Sequence, residues 1–126
     1  MKVGIDLGFG FVKVVWGDGH LKFPTWIAFY TPTSLSQIIP ITLDSEYVVG
    51  EYAKYEKNKI EITTIEELKK YAPVLVHGAF YHIFKKDYPR ILSNMEFELV
   101  VGIAPKFKNY KREIEERIKN VIPQVK

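Results

Sequence analysis

Ile5-Asp6-Leu7-Gly8-Phe9-Gly10-Phe11-Val12-Lys13 is the stretch whose reading decides the fold. An apolar strand runs into an Asp, a tight Gly-x-Gly turn follows, and a second apolar strand begins at once. Turn glycines let a backbone approach an anion with no Cβ in the way, and successive N–H groups in such a turn form a concave nest for phosphate oxygens. A Lys neutralises phosphate as a point cation, and an Asp holds Mg²⁺ directly or through its waters. Asp6, the turn and Lys13 therefore predict a site for the phosphate tail of a Mg-nucleotide between two strands of a hairpin. The plainer reading of the same residues is a hairpin turn with Lys13 solvated, because short Gly-rich motifs recur by chance.

Working outward, Lys2–Leu7 and Phe11–Trp16 are expected as strands on either side of the Gly8–Gly10 turn. Gly17-Asp18-Gly19 predicts a hairpin turn, with His20–Tyr30 as a third strand. Tyr47–Val49 reads as a short β segment, Gly50 as a turn and Ile60–Thr63 as another extended piece. Thr64 and Glu67 have capping-box spacing. The helix they open is expected to break near Pro73, with a second helix from there to about Lys86 carrying Val76, Ala79, Phe80, Ile83 and Phe84 at helical spacing. Gly78 would admit a close neighbour. The apolar run Phe97–Ile103 predicts a strand covered on both faces. Asn109 is the expected N-cap of a last helix with Ile114, Ile118, Val121 and Ile122 on one side, ended by Pro123.

Asp6-Leu7-Gly8-Phe9-Gly10-Phe11-Val12-Lys13 resembles the first phosphate loop of the actin-like ATPase superfamily, and in particular of the ParM and archaeal actin-like group. That group often carries an aromatic residue and a Gly after the Asp-x-Gly, where actin and the heat-shock ATPase chaperones usually place Ser or Thr. Phe9 has no hydroxyl, so a γ-phosphate contact there would come from the main chain. Phe23-Pro24-Thr25, Tyr47-Val48-Val49-Gly50-Glu51-Tyr52-Ala53 and Leu99-Val100-Val101-Gly102-Ile103-Ala104-Pro105 follow in the order the superfamily shows.

The resemblance implies an α/β fold with an RNase H-like core: three antiparallel N-terminal strands, helices and one further parallel central strand, incomplete, with a small inserted subdomain. Residues 1–126 would be one N-terminal lobe, with 1–30 and 64–126 as core and 31–63 as the insertion. It also implies ATP and Mg²⁺ as ligands: Asp6 organising Mg²⁺ and its waters, the backbone of Leu7, Gly8, Phe9 and Gly10 holding phosphate oxygens, and Lys13 neutralising β-phosphate charge. The complete protein would polymerise into filaments in a cytoskeletal or DNA-segregation role, with a segregation adaptor as a possible partner. No second Asp-x-Gly loop follows residue 13, so the chain is read as most of one lobe and not as a hydrolytic enzyme by itself. The alternatives are a stand-alone, non-catalytic actin-like interaction module, assembling through 31–63 or a sheet edge, and a lobe of another superfamily member such as a sugar kinase.

Composition narrows the field. The 126 residues are 47% hydrophobic and 14% aromatic, which speaks for a packed core and against disorder. With no cysteine, disulfides, thiolate metal sites and cysteine nucleophiles are excluded, and a cytoplasmic location fits. Frequent Lys and Glu with few Gln suit a thermophile. The net charge of +3 is spread over interleaved acids and bases in 51–59 and 106–119, so direct nucleic-acid binding is not expected. Residues 23–43 carry no charge, but Pro24, Pro32 and Pro40 break them into short extended pieces, and no membrane span is expected.

His20, His77 and His82 lack ligand spacing and are read as structural or surface histidines. A nuclease centre would need further carboxylates beside Asp6, and Asp18, Asp44 and Asp87 stand in unrelated contexts. Trp16, Trp26, Phe29 and Tyr30 suit a base-stacking platform, but a sheet core face accounts for them more simply. Tyr47, Tyr52 and Tyr55 fit either a subunit contact or an exposed hairpin.

Overall fold

Period-two alternation builds the first sheet. The computed structural model describes residues 1–31 and 40–122. In chain order its strands are β1 (Lys2–Leu7), β2 (Phe11–Trp16), β3 (Gly19–Pro24), β4 (Trp26–Phe29), β5 (Ile41–Thr42), β6 (Glu46–Val49), β7 (Ile60–Glu61) and β8 (Glu98–Ile103). The helices are α1 (Ile65–Phe84), α2 (Tyr88–Asn94) and α3 (Lys111–Val121). Val3, Ile5 and Leu7 of β1 and Val12 and Val14 of β2 are buried, while Lys2, Asp6, Phe11, Lys13 and Val15 between them are exposed. One face of the sheet thus lies on the core and the other is open.

The first sheet has the order β3-β2-β1-β8. β1, β2 and β3 are antiparallel neighbours, and β8 pairs with β1 in parallel. This is the mixed α/β arrangement expected from the sequence. A second sheet has the order β5-β6-β4-β7. Both sheets contribute to one core around α1, whose residues from Tyr71 to His82 are all buried. A helix apolar on every side is one enclosed by its neighbours. α3 sends Ile114 and Ile118 into the same core.

Several expectations are corrected here. The single strand His20–Tyr30 is two strands in different sheets, because Pro24 has no N–H to continue the ladder and Thr25 turns the chain. Pro73 does not break α1; packing on all sides outweighs the one lost hydrogen bond. α1 ends at Phe84, not Lys86, and Lys85 adopts the left-handed φ of 54° before a 3₁₀ turn leads into α2. That second helix went unread although Pro89 sits in its first turn, the position proline favours.

β8 is covered on one face only: Val101 is buried and Val100 is 54% exposed. Its apolar run mixes core contacts with an open sheet surface. Asn109 does not cap α3, whose N-cap is Tyr110 after a 3₁₀ turn from Pro105. Val121 is 40% exposed and so leaves the apolar side formed by Ile114, Ile118 and Ile122. Pro123, and the piece of the uncharged segment that holds Pro32, lie outside the described residues. The capping box is as expected, with the Glu67 N–H donating to Thr64 Oγ1 at 3.2 Å and the Thr64 N–H to Glu67 Oε1 at 3.2 Å.

The four aromatics divide between the sheets. Trp16 belongs to the first, Trp26 and Phe29 to the second. Trp16, Trp26 and Tyr30 are half-buried and Phe29 is exposed, so they make neither one core face nor one platform. Lys59 caps Trp26 instead, its Nζ 4.0 Å from the ring centre, a cation–π contact. Of the three tyrosines only Tyr55 is exposed; Tyr47 is buried and Tyr52 packs on Tyr81. No helix among the described residues is long and apolar enough to cross a membrane.

Candidate phosphate-binding turn

Strand pairing brings the predicted site residues together on the open face of the first sheet. Asp6 stands directly opposite Lys13 across the β1–β2 hairpin and opposite Gly102 across the parallel β1–β8 pair. The side chains of Asp6 and Lys13 are exposed. Gly102 leaves the space beside the carboxylate open: a Cβ at that position would lie 3.6 Å from Asp6 Oδ1, so a longer side chain would begin to cover it. Leu7, by contrast, is 1% exposed with its side chain in the core, so only its main chain faces this side.

The turn itself is tight. A Cβ on Gly8 would come within 2.7 Å of the Phe11 carbonyl oxygen, a contact that backbone cannot relieve cheaply. Gly10 is exposed and Phe9 half-buried. The Phe9 ring meets Phe107 edge-on, with 5.4 Å between centroids and an interplanar angle of 84°. That geometry is favourable for aromatic pairs. Phe107 belongs to the 3₁₀ turn that follows β8, so the aromatic at the turn is anchored to the next strand's exit.

Thr25 supports the turn from its buried side. Its hydroxyl donates to the Gly8 carbonyl at 2.7 Å, and its N–H donates to the Gly10 carbonyl at 3.1 Å. Sequence reading missed Phe107 and Gly102 as neighbours of the turn and used Thr25 only as a marker of motif order. The hydroxyl in Phe23-Pro24-Thr25, next to a proline that stops a strand, was the available signal for Thr25. Nothing in the sequence pointed to Phe107.

A donor set of this kind suits one metal better than others. Among the described residues no group of three or more His, Cys, Asp or Glu is placed to hold a metal ion. Asp18, Asp44 and Asp87 therefore do not join Asp6 in a nuclease-type cluster. A single accessible carboxylate on the open sheet face fits Mg²⁺, which keeps several of its waters and is commonly held by one or two carboxylates together with substrate phosphates.

Comparison with known proteins adds the following. Residues 4–124 match the family described as actin-like proteins, N-terminal domain. No curated protein sequence matches the chain. Among solved structures, a non-polymerisable quadruple mutant of pCBH ParM is similar with a TM-score of 0.64 and 23% identity over 94% of this chain. Apo psk41 ParM is similar with a TM-score of 0.59 and 17% identity over 94% of it. Bacillus thuringiensis ParM with ATP is similar with a TM-score of 0.54 and 20% identity over 90% of it. The chain spans 38%, 41% and 36% of those three chains respectively.

Proposed function

The chain belongs to the actin-like proteins as their N-terminal domain, and from that premise we propose that it is the phosphate-binding lobe of a filament-forming ATPase. The observation that carries this reading is the exposed Asp6, set between Lys13 and Gly102 at the mouth of the Gly8–Gly10 turn. Mg²⁺, when bound, would neutralise phosphate charge and hold the phosphate tail in one geometry. Asp6 would orient the waters of that ion. Main-chain N–H groups of Leu7, Gly8, Phe9 and Gly10 would meet phosphate oxygens, and Lys13 would offset β-phosphate charge. ATP hydrolysis, the cytoplasmic setting, the adaptor and a role in DNA segregation belong to the complete protein under this proposal.

The test is sedimentation of the complete protein with and without Mg-ATP. Asp6→Ala and Lys13→Ala are each expected to abolish nucleotide-dependent assembly while leaving the far-UV spectrum unchanged. Assembly at the wild-type level by either variant overturns the site.

A second reading, an assembly module that does not use nucleotide, is favoured by one observation. The open face of the first sheet exposes Phe11 by 47%, Val15 by 55% and Val100 by 54%. Apolar groups clustered on a surface mark contact sites. Identical sedimentation with and without Mg-ATP selects this reading.

A further inference from the structure

We infer that Thr25 is the positioning residue of the turn and ties it to the second sheet, an inference that rests on the phosphate-binding reading of Gly8–Gly10. Thr25 belongs to neither sheet: β3 ends at Pro24 and β4 starts at Trp26. It is fully buried, 0% exposed, and every polar group it owns is used. The hydroxyl holds Gly8 O at 2.7 Å, the N–H holds Gly10 O at 3.1 Å, and its own carbonyl accepts from the Ile62 N–H at 3.2 Å. Ile62, also 0% exposed, follows β7 and leads into the Thr64 cap of α1. One residue thus joins the turn, the junction of the two sheets and the entry to the central helix.

The chemistry of the first bond explains why a hydroxyl stands there. No cis peptide is present among the described residues, and in a trans peptide the C=O and the following N–H point in opposite directions. Holding the Gly8 carbonyl toward Thr25 therefore turns the Phe9 N–H away from the buried side, as a phosphate nest requires. Without the hydroxyl, the Gly8–Phe9 peptide loses the contact that sets its orientation. Phosphate binding that pulls on this N–H is resisted by Thr25, and the strain passes through the Thr25 carbonyl to Ile62. The turn and the second sheet respond together.

The test compares wild type, Thr25→Val and Thr25→Ser in the complete protein by residue-resolved amide exchange, first without ligand. Thr25→Val keeps the shape and removes the hydroxyl. It is expected to speed exchange at Thr25 and Ile62, whose N–H groups bond the Gly10 and Thr25 carbonyls, by about tenfold, the loss of one hydrogen bond, with the amides of α1 as protected as in wild type. Thr25→Ser should restore wild-type protection at both. Should Thr25→Val unfold, shown by loss of protection through α1, Thr25→Ala carries the same comparison against Thr25→Ser. Wild-type protection of the position-25 amide in the hydroxyl-less variant overturns the positioning role, as does failure of Ser to rescue. A change at the position-25 amide without one at Ile62 overturns the link to the second sheet. Mg-ATP is then added: in wild type it should slow exchange at Ile62 as well as at the turn, and in Thr25→Val only at the turn. If wild type does not bind Mg-ATP, the phosphate-binding reading fails, while the ligand-free comparison still decides the role of Thr25.

Discussion

At the scale of single residues, two buried histidines give the domain a built-in acid sensitivity. His82 stacks on Phe23 with centroids 4.2 Å apart and planes within 9°, and its Nδ1 pairs with the Gly78 carbonyl at 2.7 Å. His77 Nδ1 meets the Tyr88 hydroxyl at 2.7 Å. The Nε2 atom of each is buried with no partner. Burial pushes both down to about 4, helped at His82 by the nearby Lys85 charge and opposed by the Gly78 bond. The unfolded chain protonates them near the ordinary value of about 6.5. Their contribution to stability is therefore complete above that pH and is lost as pH falls toward about 4. The slope expected is about 1.4 kcal/mol per pH unit for each histidine. Urea unfolding at a series of pH values checks this, and His82→Leu should remove roughly half of the histidine slope. An unchanged slope in that variant would mean that His82 is protonated alike in both states.

Between elements, the tightest constraint lies where α1 crosses β6. A Cβ on Gly78 would fall 2.5 Å from Val49 Cγ1 and 2.8 Å from Val49 Cβ. Val49 is itself buried and cannot swing out to solvent. Gly78→Ala would gain about 1 kcal/mol of helix propensity, but overpacking costs about 1–3 kcal/mol, and the close approach to a Cβ places this site at the upper end. We expect a net loss of about 1–2 kcal/mol, read as a lower melting temperature. A variant that melts at or above wild type would show that the helix can move off the sheet freely.

On the scale of the molecule, both sheets depend on one helix. Phe80 is fully buried in α1 and packs on Phe97, just ahead of β8, at 4.6 Å between centroids, while Gly78 and His82 of the same helix face β6 and Phe23. Phe80→Ala should cost about 3–5 kcal/mol, a large part of the roughly 5–15 kcal/mol that holds a domain together. Because the core is shared, the loss should appear as one transition in which amides of both sheets open at the same denaturant concentration. Separate transitions for the second sheet and the first would show that the sheets fold as independent units.

The sequence by itself determined the elements whose signals are local. The alternation in Lys2–Leu7 and Phe11–Trp16, the Gly-x-Gly turn between them and the Thr64–Glu67 capping box were each legible, because each rests on side chains within a few positions of one another. The resemblance carried by Asp6–Lys13 and its downstream motifs also led to the family that residues 4–124 match. Only the tertiary structure decided the rest. It kept α1 continuous through Pro73, since burial on every side outweighs one missing hydrogen bond. It sent Trp26–Phe29 into a second sheet, and it put Thr25 and Phe107 against the Gly8–Gly10 turn from 15 and more positions away in the chain. Contacts of that kind depend on how elements pack, and no local pattern encodes them.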